Sequence, residues 1–271
     1  MKITVITVCY NAQDTIEDTI KSVQAQKYKN LEYIIIDGAS TDKTFEIIDK
    51  YKDVVTKLVS EPDSGVYNAM NKGINQATGD LLFFLNADDV FINELVIEQF
   101  ANFAKKNPAG LLLGDVIMLD KYSGAIFNEK QPFVDNILLF KSTVFHPATF
   151  FRKEVFEKYG QFNEENKIVS DYEWFLNYFV KNNGDFAYLN KPVTLFSLGG
   201  LSSNEKWATL HEEERSMAIK RYFSAKQIKT FNFLIKHFSR KMNKIPFRKH
   251  LVKIGINRIY YKHEVDDVYT I

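Results

Sequence analysis

Leu81-Leu82-Phe83-Phe84-Leu85-Asn86-Ala87-Asp88-Asp89 is the stretch on which the fold turns. Its apolar run is short, as in a strand covered on both faces, and it stops at two adjacent carboxylates. In an open α/β sheet, ligands bind in the crevice beyond the strand C-termini. Two carboxylates placed there lose hydration and repel one another unless a cation or hydrogen-bond donors compensate. Asp88 and Asp89 are therefore a candidate metal and phosphate site, with capping of the next helix as the competing role for one of them.

Working back toward residue 1, the same alternation repeats. Ile3 to Cys9 is β-branched and apolar enough for a central strand, followed by the short loop Tyr10-Asn11-Ala12. Asp14, with Glu17 three positions on, predicts a capped helix carrying Ile16, Ile20 and Val23 on one face. A second strand, Leu31 to Ile36, runs into Asp37-Gly38-Ala39-Ser40-Thr41-Asp42. A helix over about 42–51 follows, with Phe45, Ile47 and Ile48 inward. A third strand over 54–60 meets the loop Glu61-Pro62-Asp63-Ser64-Gly65, and a helix over 66–76 leads to Gly79. This β-α-β-α-β-α-β order predicts a mostly parallel sheet with right-handed crossovers. Four polar strand ends, at Tyr10-Asn11, Asp37, Asp63 and Asp88-Asp89, would then share one crevice. The first loop has no GxGxxG and the chain no GxxxxGK[ST], which removes the usual support for dinucleotide and P-loop sites. An acidic crevice repels bare phosphates, so a divalent cation with oxygen ligands, Mg²⁺ or Mn²⁺, is implied.

Past Asp89 the spacing predicts a helix over 94–106, a strand over 111–118, a turn at Tyr122-Ser123-Gly124 and a break at Pro147. A short helix over 153–159 and another over 170–179 follow. Short strands at 186–189 and 192–196 precede a flexible loop at Gly199-Gly200-Leu201-Ser202-Ser203.

The net charge of +1 over 271 residues conceals an asymmetry. Residues 1–214 carry 21 Lys+Arg against 31 Asp+Glu, and residues 215–263 carry 14 Lys+Arg with no acidic residue. The single cysteine, Cys9, rules out an internal disulfide framework and suits a reducing compartment. No leader pattern and no apolar run near the roughly 18 residues of a membrane span are seen. In the basic block Ile228, Phe231, Ile235, Phe238, Met242 and Ile245 recur on one helical face among lysines, with Leu251, Ile254 and Ile259 continuing the pattern. Such a helix either lies on an anionic membrane surface or packs its apolar face on the body or a partner subunit. Nucleic acid is not expected, because no aromatic stacking platform accompanies the charge.

Several stretches together carry a resemblance: Thr7-Val8-Cys9-Tyr10-Asn11, Ile35 to Asp42, Ser60 to Gly73, Gly79-Asp80, Asn86-Ala87-Asp88-Asp89 and Ser170-Asp171-Tyr172-Glu173-Trp174. In this order over about residues 1–200 the chain resembles the family 2 glycosyltransferases of bacterial capsule, O-antigen and exopolysaccharide assembly. The resemblance implies the α/β GT-A nucleotide-sugar-binding fold in residues 1–214. Residues up to about 100 would be the donor-binding half and 101–214 the acceptor-binding half, followed by a basic helical C-terminal appendage over 215–271. It implies an inverting transfer from a nucleotide-linked sugar, with UDP expected, to a glycan or polyprenyl-diphosphate-linked hydroxyl.

By the same resemblance Asp37 hydrogen-bonds the base, while Tyr10, Asn11 and Asp63 line the nucleotide pocket. Asn86 occupies the first place of the family's DxD motif, where Asn meets a ribose without bringing charge. Asp88 holds Mn²⁺ or Mg²⁺ on the diphosphate, supported by Asp89. Asp171 is the general base, with His146, Glu173 and Trp174 on the acceptor side. Trp174 reads equally as core or as a sugar platform, and His146 as a buried histidine or a ligand contact. The setting implied is cytoplasmic, peripheral on the inner face of the plasma membrane, with a homodimer also considered. The competing classes are a nucleotidyltransferase, which lacks its Gly-rich basic loop here, and an inactive membrane-associated assembly subunit.

Overall fold

A computed structural model describes residues 1–120, 123–198, 205–242, 244–258 and 262–263. The expected turn at Tyr122, the loop Gly199 to Ser203 and the apolar position Ile259 lie outside the described residues. Within them the alternation β1(Ile3–Cys9), α1(Ile16–Gln24), β2(Leu31–Asp37), α2(Thr44–Asp49), β3(Lys57–Ser60), α3(Val66–Gln76), β4(Leu81–Phe84) matches the sequence reading element by element. After it come β5(Val90–Phe91), α4(Val96–Lys106), β6(Leu111–Asp120), β7(Ile126–Glu129), α5(Asn136–Lys141), β8(Thr149–Arg152), α6(Lys153–Tyr159) and α7(Ser170–Phe175). The chain then forms β9(Phe186–Leu198), α8(Ala208–Tyr222), α9(Ala225–Met242), α10(Ile245–Lys253) and β10(Lys262–His263).

The strands make one sheet in the order β10-β9-β6-β8-β4-β1-β2-β3, with β5 and β7 as side branches. Strands β3, β2, β1 and β4 are mutually parallel, and β8 enters antiparallel between β4 and β6. This is the α/β arrangement of the GT-A fold, with helices α8 to α10 following it. Both faces of the parallel half are covered: Ile6, Val8, Ile34 and Ile36 point into one apolar cluster, and Ile3, Val5, Tyr33 and Ile35 into the other. That two-sided burial is why these strands read as continuous apolar runs rather than alternating ones.

Register sets the crevice. Cys9 pairs with Asp37 and Asp37 with Ser60, while Ile6 pairs with Phe84, so the four chains leave the sheet side by side. Each exit is locked to its neighbour: Gly38 N–H donates to Cys9 O at 2.9 Å, Glu61 N–H to Asp37 O at 3.0 Å and Leu85 N–H to Ile6 O at 2.9 Å.

Several local expectations are corrected. Asp14 does not cap α1, whose N-cap is Thr15 with no side-chain bond, and Glu17 is taken by Tyr51 and Lys21 instead. Phe45 is exposed, because α2 turns Thr44 and Ile48, one helical turn apart, toward the core. The two short strands expected at 186–196 are one long strand, β9, with a register shift against β6 near Asp115. Beyond α7 the helix widens into a π-turn stretch at Leu176–Lys181.

The C-terminal helices belong to the same packed body. Residue 214, where a boundary was expected, falls inside α8, and Phe223, Phe231, Leu234 and Leu251 are buried in the main cluster. Asp135 ties them down. It is fully buried, caps α5 by accepting Leu138 N–H at 2.7 Å, pairs with Arg248 and accepts Asn257 Nδ2–H at 2.8 Å. A buried carboxylate so satisfied is costly to break from either side.

Candidate functional site

The loop after β1 is built against the loop after β2. Asn11 holds a left-handed backbone with φ 50°, which its short amide tolerates. Its N–H donates to Ser40 Oγ at 2.9 Å, and its Oδ1 accepts Thr41 N–H at 2.9 Å. Ala39, opposite, is also left-handed at φ 60°, a conformation that costs a residue with a Cβ and is found where a loop is held for function. Tyr10 stands at the rim, exposed.

Asp37 lies beneath this loop. It is fully buried, and its oxygens accept the Ser40 N–H, the Ser40 hydroxyl and, at 2.6 Å, the Ser60 hydroxyl. Its carboxylate anchors the loop on which Tyr10 and Asn11 sit. The Cys9 thiol packs against it, and burial, then the Asp37 charge, push that thiol's pKa up. Asp63 folds back over Gly38: a Cβ at residue 38 would lie 2.5 Å from Asp63 Oδ2 and 3.4 Å from the Tyr10 ring. Only glycine leaves Asp63 its place there. Asp63 also accepts Gly65 N–H at 3.0 Å, the turn its residue type favours. Lys72, on α3, holds that loop through Pro62 O and Glu61.

At the end of β4 the two carboxylates part. Asp88 is half-buried and lines the cleft, beside Asn86. Asp89 is fully buried and accepts Ser197 N–H at 3.2 Å and Asn86 Nδ2–H at 3.3 Å, so it fixes the strand end rather than facing the cleft. Neither caps α4, whose N-cap is Leu95.

Asp171 opens α7 but is not its cap, which is Val169. Tyr67 on α3 reaches across to it, the hydroxyl lying 2.9 Å from Asp171 Oδ1 and 2.6 Å from Ile168 O. Burial first, and then the Asp171 charge, raise the Tyr67 pKa well above its usual value, so the phenol remains a donor. Glu214 on α8 fixes the preceding turn, accepting the N–H groups of Lys167, Ile168 and Val169 at 2.7, 3.0 and 3.2 Å. His146 is buried against Phe84, Phe151 and Phe162, and its Nε2 has no hydrogen-bond partner among the described residues. Burial lowers its pKa against the opposing pull of Asp171, which favours the neutral ring.

Tyr10, Asn11, Asn86, Asp88, His146 and Asp171 line one cleft of about 700 Å³, whereas Asp37, Asp63 and Asp89 are not among its lining residues. Glu173 and Trp174 do not join them. Glu173 is buried and bonded to Asn163, Asn166 and Arg221. Trp174 is buried, donates to Gly160 O at 2.7 Å and stacks on Tyr178 at 5.3 Å, which makes it core rather than a sugar platform. Tyr67 and Glu214 carry no signal of their roles in the sequence. Tyr67 has no distinguishing neighbour, and Glu214 contacts residues 45 to 47 positions away.

Among the described residues no group of three or more His, Cys, Asp or Glu side chains is gathered to cage a metal. One cleft-lining carboxylate nevertheless fits a hard divalent ion that draws its other ligands from phosphate oxygens and water.

Residues 4–162 match the family described as Glycosyl transferase family 2. An uncharacterized glycosyltransferase of Mycobacterium tuberculosis is 32% identical over 228 residues, spanning 79% of this chain and 82% of that protein. A PGL/p-HBAD biosynthesis glycosyltransferase of Mycobacterium bovis is 30% identical over 192 residues, spanning 68% and 72%. Residues 1–349 of S. aureus TarS, crystallised with UDP-GlcNAc, share the fold at a TM-score of 0.65 and 20% identity, covering 88% of this chain and 73% of that one. The mannosyltransferase PcManGT of Pyrobaculum calidifontis, in complex with GDP-Man and Mn²⁺, gives 0.55 at 14% identity, covering 93% and 83%.

Proposed function

The chain belongs to the family 2 glycosyltransferases, and on that premise we propose that it carries out an inverting transfer from a UDP-linked sugar to a hydroxyl of a glycan or lipid-linked acceptor in surface polysaccharide synthesis. The single observation that carries this reading is the convergence of Asp88 and Asp171 on the cleft that Tyr10 and Asn11 also border.

An acceptor hydroxyl is a weak nucleophile until a base takes its proton. Asp171 is that base. Tyr67 engages its Oδ1 and fixes the carboxylate's rotation, so the other oxygen takes the proton as the acceptor oxygen bonds the anomeric carbon. The bond from that carbon to the diphosphate breaks, its electron pair leaving with the nucleotide, and the configuration inverts. Asp88 would hold a divalent Mn²⁺ or Mg²⁺, which when bound stabilises charge on the leaving diphosphate. Tyr10 and Asn11, on the loop anchored by Asp37, take the base and ribose, with Asn86 alongside.

Among the described residues no helix is long and apolar enough to cross a membrane. The inner stripe of α9 is already used, since Phe231 is buried and Ile228 and Ile235 pack on the body. Its outer side exposes Phe233 between Lys229 and Lys236, and a kink at Phe238 turns that ring of the inner stripe out beside Lys241, which supports docking on an anionic membrane surface. Screening UDP-sugars for turnover with Mn²⁺ tests the proposal: release of UDP from one donor supports it, and failure of the protein to bind UDP under saturating Mn²⁺ overturns it.

A further inference from the structure

The wall of the cleft beside Asp171 carries a cation that the transfer chemistry leaves unused. Glu214 clamps the peptides of Lys167, Ile168 and Val169, and the next residue, Arg215, is half-buried and lines the cleft. Its guanidinium lies 4.0 Å over the ring of Tyr172, the neighbour of Asp171. One of its nitrogens, Nη2, donates to the carbonyls of Phe140 at 3.2 Å and Ser142 at 3.0 Å. No carboxylate pairs with it among the described residues, and its Nε and Nη1 donors have no protein acceptor there. His211, one helical turn earlier on the same face of α8, lines the same cleft.

A guanidinium offers five N–H donors in a rigid fork that matches phosphate oxygens two at a time. Here the fork is oriented by two carbonyls and a ring, and partly withdrawn from water without a protein counter-charge. That arrangement is unfavourable by itself and is compensated by an incoming oxyanion. All of its contacts come from the elements around Asp171, and none from the strand ends that carry Tyr10, Asn11 and Asp88. We propose that Arg215, with His211 beside it, binds a phosphate group carried by the acceptor, and so places the acceptor hydroxyl against Asp171. The proposal rests on the reading of this cleft as a transferase site. It adds that the acceptor is anionic, with its phosphate close to the reacting hydroxyl.

The test is a calorimetric titration of the full chain with farnesyl phosphate, inorganic phosphate and farnesol, each with and without saturating UDP and Mg²⁺. Farnesyl phosphate is expected to bind the UDP-loaded protein. Arg215→Gln should weaken it about tenfold or more and Arg215→Lys less, while any farnesol binding ignores both substitutions. Inorganic phosphate showing the same dependence on Arg215 marks the anion itself as the ligand, and farnesyl phosphate alone showing it marks a lipid-borne one. Either supports the site. Equal farnesyl phosphate affinity in wild type and Arg215→Gln, or no binding to the UDP-loaded protein, overturns it. So does a tenfold loss of UDP affinity in Arg215→Gln, which would assign the residue to the donor. Failure of wild type to bind UDP counts against the transferase reading, while the titration without UDP still reports on Arg215. Thermal unfolding of both variants shows whether the carbonyl contacts also held the fold.

Discussion

The hydroxyl of Tyr67 stands 2.9 Å from Asp171 Oδ1, joining α3 to α7 across 104 positions of sequence. Its one proton is shared with Ile168 O at 2.6 Å, so the phenol measures the rotation of the carboxylate against a fixed backbone group. Asp171→Asn should lower transfer by about 10²–10⁴-fold with UDP affinity nearly unchanged, the range expected for loss of a general base. Tyr67→Phe should lower kcat about tenfold and leave the donor KM within about twofold, because orientation rather than binding is lost. Steady-state kinetics with a UDP-sugar separate these outcomes from a merely structural role, which would move KM and stability together.

The two carboxylates after β4 should respond in opposite ways. Asp88→Asn is expected to abolish Mn²⁺-dependent UDP binding with little change in Tm. Asp89→Asn weakens bonds to Ser197 and Asn86 in a buried place and should cost about 1–3 kcal/mol of stability. Calorimetry with and without a chelator, set beside thermal melts, distinguishes them. A large Tm loss in the Asp88 variant alone would reverse the assignment.

Gly38→Ala is expected to weaken UDP binding on the order of tenfold, since overpacking of this kind commonly costs 1–3 kcal/mol. The new methyl would lie 2.5 Å from Asp63 Oδ2 and displace that carboxylate from beside the loop of Tyr10. Adding Asp63→Ala to the same chain should restore part of the affinity. If the double variant binds no better than the single one, the close approach at Gly38 is not what matters.

Much of this was legible in the sequence because it is local. The alternation of apolar runs with polar loops sets β1 to β4, and each apolar run ends at the residue that the parallel register then aligns, Cys9 with Asp37 and Asp37 with Ser60. What periodicity cannot give is the partner. Ile228, Phe231 and Ile235 announce a helical face, yet whether lipid or protein covers it depends on contacts such as Asp135 with Arg248, 113 positions apart. The resemblance implies a base contact for Asp37. The bond its carboxylate accepts from Ser60, brought alongside by β3, has no signal in the sequence. Trp174 left two readings open because an indole serves either a core or a sugar, and packing against Tyr178 settles it.

Stability should fall in acid in a window set by Glu32. Burial alone would raise its pKa, but bonds from Lys2, Thr4 and Thr78 outweigh that and lower it from 4.5 to about 2. The unfolded chain therefore takes up the proton more readily. The contribution is fully present above pH 4.5 and is lost as the pH falls toward 2. Urea unfolding across this window should show a steeper slope for wild type than for Glu32→Gln, and identical slopes would rule out the group.

The grip of Glu214 on the turn before Asp171 orders events while the chain is still being made. The loops carrying Tyr10 and Asn11, and the strand end at Asp88, have all left the ribosome before the base itself appears. That base gains its fixed backbone only when α8 follows, 45 to 47 positions after the peptides it holds. A half-synthesised molecule thus lacks the contacts that fix the turn before Asp171 until α8 has been made.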